Sequence, residues 1–202
     1  MKAALPLGVI LAGGRATRMG GGDKALLTLG GQSLLQRVID RIAPQVAGLA
    51  LNANGDPARF SAFGLPVLPD SVAGHPGPLA GVLAGLDWAA EKDAETVITV
   101  AADTPFFPTD LVSYLVQEGA GMAHPLVLAA SPDAKRGTLR HPTFGLWPTA
   151  LREDLRAALR DGLRKVVVWT DRHGSSVALF DDESAFFNVN TPEDLARAEA
   201  LL

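Results

Sequence analysis

The strongest constraint on the fold is an uninterrupted apolar run, GVILA at residues 8–12, that leads directly into a glycine-rich loop. A continuous β-branched run of this kind is typical of a strand buried on both faces, as in a parallel sheet. The sequence from residue 11 to residue 26, LAGGRATRMGGGDKAL, holds five glycines, two arginines and one lysine. Glycines let the backbone approach a ligand closely, and consecutive N–H groups can form an anion nest. The pattern predicts a strand whose end binds an anion with many oxygens.

Further short apolar runs alternate with helical segments, which predicts an α/β fold with a largely parallel sheet. Three of these runs are predicted strands that end in polar residues, at 48–54, 65–70 and 95–103. The run KVVVWT at 165–170 is rich in β-branched residues and is predicted as another strand. The stretch 126–147 lacks the strand–helix rhythm, so we expect it to form a separate flap or small sheet.

Composition narrows the class of protein. A chain of 202 residues predicts one domain, and a net charge of −4 argues against a nucleic-acid partner. The absence of cysteine excludes disulfides and fits a reducing compartment, so we expect a cytoplasmic protein. The start of the chain looks faintly like a signal peptide, but Pro6 and Gly8 interrupt it and favour a first strand. No apolar run reaches eighteen residues, so no membrane span is predicted.

Polar residues follow the predicted strands at one edge of the sheet. Ligands bind beyond the carboxyl ends of the strands in an open parallel sheet, where Asn52, Asp70 and Asp103 would meet the glycine loop. The loop adds three cations, Arg15, Arg18 and Lys24. Backbone donors, cations and a carboxylate are what a triphosphate with Mg²⁺ needs. Each feature alone has a simpler interpretation, a solvated loop or an aspartate that caps a turn.

Other chemistries lack their motifs. No Gly-Lys pair occurs, so the P-loop is absent, and the match of GxGxxG/A to Gly20, Gly22 and Ala25 lies too far after the strand. Four scattered histidines do not make a zinc motif, and no GxSxG elbow is present. His141, which precedes Pro142, is interpreted as a turn residue in preference to a ligand contact.

The glycine loop resembles the nucleotide loop of the nucleotidyltransferases that attach a nucleotide to a phosphorylated acceptor. DSVAGHPGPLAG, AADTPFFP, HPTFGLW and FNVNTPEDL together resemble the molybdenum cofactor guanylyltransferase family, in order and over nearly the whole chain. The resemblance implies a Rossmann-like three-layer α/β/α nucleotidyltransferase fold with a mostly parallel central sheet. It implies one domain, 1–202, whose part up to about residue 110 binds GTP and whose part 111–202 forms the acceptor side. The implied reaction moves GMP from GTP to the terminal phosphate of molybdenum-bound molybdopterin and releases pyrophosphate.

The resemblance also implies roles for individual residues. Asp103 would bind Mg²⁺, and it would act in catalysis with Arg18 and Lys24. The implied GTP contacts are Leu11, Ala12, Gly13, Lys24, Asn52, Asp70 and Asp103. For the acceptor we expect Pro78, Leu79 and Gly81, where free N–H groups open a helix, together with Asn188 and Asn190. The two asparagines also have an interpretation as turn residues.

Alternative functions remain open at this point. A molybdenum cofactor cytidylyltransferase or a sugar-phosphate nucleotidyltransferase would share the loop and differ in base or acceptor. A nucleotide-binding or cofactor-carrier module would bind without turnover, although Lys24 and Asp103 argue against it. Beyond the two substrates, the expected partners are transient ones, cofactor-inserting proteins or apo-molybdoenzymes.

Overall fold

A computed structural model gives the fold and describes residues 5–13, 23–72, 74 and 77–202. Its strands are Leu7–Leu11 (β1), Thr28–Leu29 (β2), Gln32–Ser33 (β3), Gly48–Asn52 (β4), Val67–Leu68 (β5), Thr96–Ala101 (β6), Val127–Asp133 (β7), Gly137–Pro148 (β8) and Ser176–Leu179 (β9). Its α-helices are Leu34–Ile42 (α1), Pro78–Ala90 (α2), Leu111–Glu118 (α3), Arg152–Arg160 (α4), Val166–Arg172 (α5) and Pro192–Glu199 (α6). Within those described ranges, no helix is long and apolar enough to cross a membrane.

Seven strands form one central sheet in the order β5-β4-β1-β6-β8-β7-β9, and β2 pairs with β3 in a small hairpin. The pairs β5–β4, β4–β1, β1–β6 and β7–β9 are parallel, whereas β8 is antiparallel to β6 and to β7. Six strands therefore point the same way, which confirms the mostly parallel sheet. The carboxyl ends of β5, β4, β1 and β6 consequently lie side by side.

Helices cover both faces of this sheet, as the three-layer prediction requires. On one face, apolar residues of α1 and α3 join a buried cluster with Ile10 and Val100 of the sheet. On the other face, α2, α4 and α5 form a second cluster around Val9 and Trp147. Residues alternate between the two faces along each strand, so β1 supplies Val9 to one cluster and Ile10 to the other.

The expectation that 126–147 forms a separate flap or small sheet is wrong. These residues form β7 and most of β8, a hairpin that extends the central sheet. Thr96–Thr99 of β6 pair with Gly145–Pro148 of β8, and no helix separates β7 from β8 in the chain. The change from parallel to antiparallel pairing is what interrupts the strand–helix rhythm of the sequence.

The predicted strand at 165–170 is also wrong, because this segment is helix α5. Its buried residues are Val166, Trp169 and Thr170, spaced at three and four positions, while Val168 is exposed. The Trp169 ring packs on Trp147 with centroids 6.3 Å apart, and its Nε1 donates to Asp154. Burial of this tryptophan outweighs the small strand preference of the valines.

Candidate active site

Four strand ends lie in register at one edge of the sheet. Leu11 pairs with both Asn52 and Ala101, and Asn52 pairs with Leu68. Two positions further along each chain segment come Gly13, Asn54, Asp103 and Asp70. Adjacent strands are about 4.8 Å apart, so three spacings separate Asp70 from Asp103 by about 14 Å. The predicted residues Leu11, Ala12, Gly13, Asn52, Asp70 and Asp103 thus line one edge with a carboxylate on each side.

A buried lysine and a carboxylate form one end of this edge. Lys24 lies in the 3₁₀ helix Lys24–Leu26 and is only 8% exposed. Its Nζ donates to Oδ2 of Asp103 at 2.5 Å and also to Oδ1 of Asn190. Oδ1 of Asp103 accepts from the Thr104 hydroxyl at 3.1 Å. The structure therefore brings together Lys24 and Asp103, which are 79 residues apart in the sequence.

The two predicted acceptor asparagines join this same cluster. Asn190 accepts from Lys24, and Asn188 accepts from the Thr104 hydroxyl at 2.5 Å. Between them, Val189 is fully buried in a small apolar cluster, and its N–H donates to the carbonyl of Asp103 at 2.8 Å. Consecutive side chains of an extended segment point to opposite sides. Because Val189 points into the apolar cluster, Asn188 and Asn190 on either side of it both point to the site. The cap of α6 is Thr191 with Asp194, so the asparagines have a role apart from capping that helix.

At the other end of the edge, two asparagine amides hold the carboxylate of Asp70. Nδ2 of Asn52 donates to Oδ1 at 3.0 Å, and Nδ2 of Asn54 donates to Oδ2 at 2.8 Å. Asn52 is buried, and Asn54 also accepts from the backbone N–H of Asp70 at 2.9 Å. Asn54 is a site residue that the sequence interpretation missed. The spacing N-x-N at the end of a strand was the available signal, because residues two apart point to the same side.

The start of α2, which carries three predicted acceptor residues, packs against the same strand ends. The Leu79 side chain is 1% exposed and belongs to the core. Gly81 is buried against Asn52, and a Cβ at Gly81 would lie 2.8 Å from a methyl group of Leu11. The predicted acceptor contact at Leu79 and Gly81 is one of backbone N–H groups, so it stays a prediction, and Pro78 is half-buried at the helix start. The N–H of Ala80 is already bonded to the carbonyl of Gly77, which reduces the free donors there.

We expect Gly81→Ala to weaken GTP binding as well as stability. The added Cβ overlaps the Asn52 amide, which must then move away from Asp70. Overpacking of this kind costs about 1 to 3 kcal/mol of stability. Gly85→Ala is the matched control, since its Cβ would crowd Val9 at 3.0 Å on the same helix but away from Asn52. Thermal melts should show both variants destabilised, and equal GTP affinity in the two would contradict the predicted effect on Asn52.

A cleft of about 730 Å³ opens beside Asn188. His141 and Phe186 form part of its wall, with their rings stacked at 4.1 Å between centroids. The interpretation of His141 as a turn residue is wrong, because it lies within β8 and pairs with Ala129. Burial lowers the pKa of His141 to about 4, so its ring is neutral at pH 7. Arg197 of α6 lies over the Phe187 ring at 4.6 Å and lines the same cleft.

Three predicted features of the glycine loop, Gly14, Arg15 and Arg18, lie outside the described residues. The described ends of that loop are Gly13, directly after β1, and Asp23, directly before Lys24. Both ends belong to the edge that carries Asp103 and Asp70, so the predicted loop begins and ends at this site.

Comparison with known proteins identifies the family. Residues 8–175 match the family model for the MobA-like NTP transferase domain. Molybdenum cofactor guanylyltransferase of Cereibacter sphaeroides is 53% identical over 196 residues, which cover 96% of each chain. The protein of the same description from Rhodopseudomonas palustris is 52% identical and covers 96% of this chain and 92% of its own. The chain belongs to the molybdenum cofactor guanylyltransferase family.

Solved structures support the same fold at low sequence identity. Molybdopterin-guanine dinucleotide biosynthesis protein A from Archaeoglobus fulgidus superposes with a TM-score of 0.72 at 22% identity, covering 96% of this chain and 97% of that one. A 4-diphosphocytidyl-2C-methyl-D-erythritol synthase from Anaerococcus prevotii gives 0.75 at 14% identity, with 98% and 96% covered. This chain thus shares its three-layer architecture with proteins that are much less similar in sequence.

The residues of this guanylyltransferase-family chain fit a metal ion that is bound mainly by substrate. In the described part of the chain, no group of three or more histidine, aspartate or glutamate side chains could hold a metal alone. Mg²⁺ in nucleotide enzymes is usually bound through one or two carboxylates together with phosphate oxygens and water. Asp103 offers such a carboxylate, with a side chain 26% exposed, and the amide oxygens of Asn188 and Asn190 lie in the same cluster.

Proposed function

We propose that this edge of the sheet transfers GMP from GTP to the terminal phosphate of molybdenum-bound molybdopterin, with release of pyrophosphate. The observation that carries the proposal is the ion pair of the buried Lys24 with Asp103 at the end of β6. It stands beside the glycine loop in a chain about half identical to proteins named molybdenum cofactor guanylyltransferase. A protein that only carried the cofactor, without turnover, would not need the buried ammonium of Lys24 beside the carboxylate of Asp103 where the phosphates are proposed to bind.

The proposed chemistry is an in-line displacement at the α-phosphorus of GTP. A phosphate oxygen of the pterin forms the new bond to phosphorus, and the bond from the α-phosphorus to the bridging oxygen of pyrophosphate breaks. The attacking oxygen is already anionic, so no protein side chain has to remove a proton. The protein contributes positioning and neutralisation of charge.

Lys24 and Asp103 have complementary roles in this proposal. Asp103 would hold Mg²⁺, and the ion would supply positive charge to the phosphates of the nucleotide. The ammonium of Lys24, paired with Asp103 and Asn190 in the structure, turns to the phosphate oxygens and stabilises the negative charge that develops on the leaving group. Arg18, which lies outside the described residues, is the second proposed cation.

The Asp70 end of the edge is the proposed binding site for guanine and ribose. A guanine edge offers N–H donors to a carboxylate, while its O6 accepts a hydrogen bond. Asn52 and Asn54 fix both oxygens of Asp70 but leave each oxygen a further lone pair. The backbone of Leu11, Ala12 and Gly13 lies between Asp70 and Asp103, where the middle of an extended nucleotide would rest. The part of the chain up to about residue 110 thereby forms the GTP side.

The acceptor side belongs to residues 111–202 together with the start of α2. Asn188 accepts a hydrogen bond from Thr104, the neighbour of Asp103, and it also lines the cleft that contains His141. A pterin bound in that cleft would therefore extend its phosphate toward Asp103. Asn190 and the backbone near Pro78 complete this proposed side.

The proposal also includes a cytoplasmic location and transient contacts with cofactor-inserting proteins or apo-molybdoenzymes that receive the product.

Thermal melts with Mg²⁺ and each of GTP, CTP, ATP and UTP test the nucleotide assignment. A ligand at a hundred times its dissociation constant adds about 2.7 kcal/mol. For a chain of this size we expect GTP to raise Tm by about 5 to 10 °C and the other nucleotides to raise it less. Asp70→Asn should reduce the preference for GTP, because an amide presents a donor where guanine needs an acceptor.

A larger shift with CTP would move the assignment to the cytidylyltransferase. Release of pyrophosphate on addition of molybdenum-bound molybdopterin then tests turnover. Cofactor binding without pyrophosphate would favour the carrier function instead.

A further inference from the structure

Arg59 contacts several segments around the nucleotide edge. It lies in the 3₁₀ helix Pro57–Phe63, which follows β4. Its Nη2 donates to the carbonyl of Asn54 at 2.5 Å, and its Nη1 donates to that of Asp56 at 2.9 Å. Its Nε lies 2.6 Å from Oδ2 of Asp23, at an angle that makes the contact an ion pair and not a hydrogen bond. One guanidinium thus joins the end of β4 to the end of the glycine loop.

The Asp23 side chain pairs with Arg59 and does not cap the helix that follows it. It is the residue before the 3₁₀ helix Lys24–Leu26, a position where aspartate commonly accepts a backbone N–H of the first turn. Here the carboxylate makes no such bond. Both partners are largely covered, with side chains 22% exposed for Asp23 and 27% for Arg59.

The two adjacent residues Asp23 and Lys24 reach opposite sides of the edge. Asp23 is held on the β4 side by Arg59, whereas Lys24 reaches the β6 side and pairs with Asp103. The segment therefore crosses the end of β1, which lies between β4 and β6. Arg59 also binds the backbone of Asn54, whose side chain holds Asp70.

We infer that Arg59 is a positioning residue for guanylyl transfer. Its ion pair with Asp23 fixes the segment that carries Lys24. Its hydrogen bond to the backbone of Asn54 connects that segment to Asp70, the carboxylate at the proposed guanine end. The inference rests on the proposed function, because it assigns Arg59 to the reaction for which Lys24 and Asp103 are proposed. A displacement of about 1 Å in a catalytic group can cost about a hundredfold in rate, so an anchor without substrate contact is sufficient to control turnover.

The test compares Asp23→Asn, Arg59→Gln and the double variant in the full chain. We expect each single variant to lower kcat/KM about ten- to a hundredfold, mainly through kcat, because the anchored lysine acts in the transition state. The double variant should lose no more than the worse single variant, since both changes break one contact. Tm should change by only a few degrees, because both side chains keep some exposure to water, 22% for Asp23 and 27% for Arg59, and water screens their attraction. Arg59→Lys should recover part of the activity by restoring the charge opposite Asp23.

Arg140 and Asp171 provide a matched control pair. They form an ion pair at 2.5 Å between β8 and α5, away from the nucleotide edge. Arg140→Gln and Asp171→Asn should leave kcat/KM unchanged.

Three results would overturn the inference. The first is normal turnover in Asp23→Asn, which would show that the ion pair does not affect the reaction and that Arg59 acts only on the carbonyls of Asn54 and Asp56. The second is additive losses in the double variant, and the third is an equal loss in the control pair. If the wild-type chain transfers GMP and Lys24→Met does not, while Asp23→Asn and Arg59→Gln are normal, only the inference about Arg59 fails. If the wild-type chain transfers no GMP, the proposed function itself fails.

Discussion

Lys24→Met is expected to lower kcat for guanylyl transfer about a hundred- to a thousandfold while the protein stays folded. Loss of one contact that stabilises transition-state charge costs about 3 to 4 kcal/mol in the barrier. Methionine keeps the unbranched apolar stem that the buried site accommodates, and it removes only the ammonium bonded to Asp103 and Asn190. Asp103 is 26% exposed at its side chain, so water can solvate the carboxylate that loses its partner. Initial rates of pyrophosphate release at saturating GTP measure the effect.

Lys92→Met is the matched control, because Lys92 lies over the Trp88 ring just beyond the end of α2 and makes no hydrogen bond or ion pair with the described residues of the nucleotide edge. It should turn over normally. Lys24→Arg retains the charge but not the compact ammonium, so we expect only partial recovery. A Lys24→Met enzyme with near-normal kcat and an unchanged melting curve would remove Lys24 from the mechanism.

The strand-end part of the site was predictable because it depends on local patterns and one rule of topology. Apolar runs that end at Asn52 or shortly before Asp70 and Asp103 indicate strands, and parallel strands place their carboxyl ends at a common edge. The structure has these residues in register, with Leu11 between Asn52 and Ala101. Their spatial grouping therefore follows from the sequence without knowledge of any side-chain contact.

The contacts within the site were not predictable in the same way. Asn190 and Lys24 are 166 residues apart, and only the burial of Val189 beside Asp103 brings the asparagine to the lysine. Nothing local in the sequence reports such a pairing. The error at 165–170 has the opposite origin, since local propensity favoured a strand while packing of Trp169 on Trp147 selected a helix.

Asp103→Asn is the second change expected to lower kcat about a hundred- to a thousandfold. Asparagine has almost the same shape and still accepts a hydrogen bond from Thr104, so the end of β6 should keep its structure. It lacks the charge that is proposed to hold Mg²⁺, and we therefore expect the Mg²⁺ concentration for half-maximal rate to rise. Titration of the initial rate with Mg²⁺ at fixed GTP measures this shift together with the fall in kcat.

The Mg²⁺ titration distinguishes the two members of the pair. Lys24→Met should lower kcat without raising the Mg²⁺ requirement, because the lysine carries its own charge to the phosphates. The double variant should be about as slow as the slower single variant, since the two groups are in contact and are proposed to act on the same phosphates. Asp110→Asn should behave like the wild type, because Asp110 is exposed and its side chain makes no capping hydrogen bond to α3. An Asp103→Asn enzyme with wild-type rate and wild-type Mg²⁺ dependence would exclude Asp103 as the metal-binding residue and leave Lys24 as the principal charge at the phosphate end.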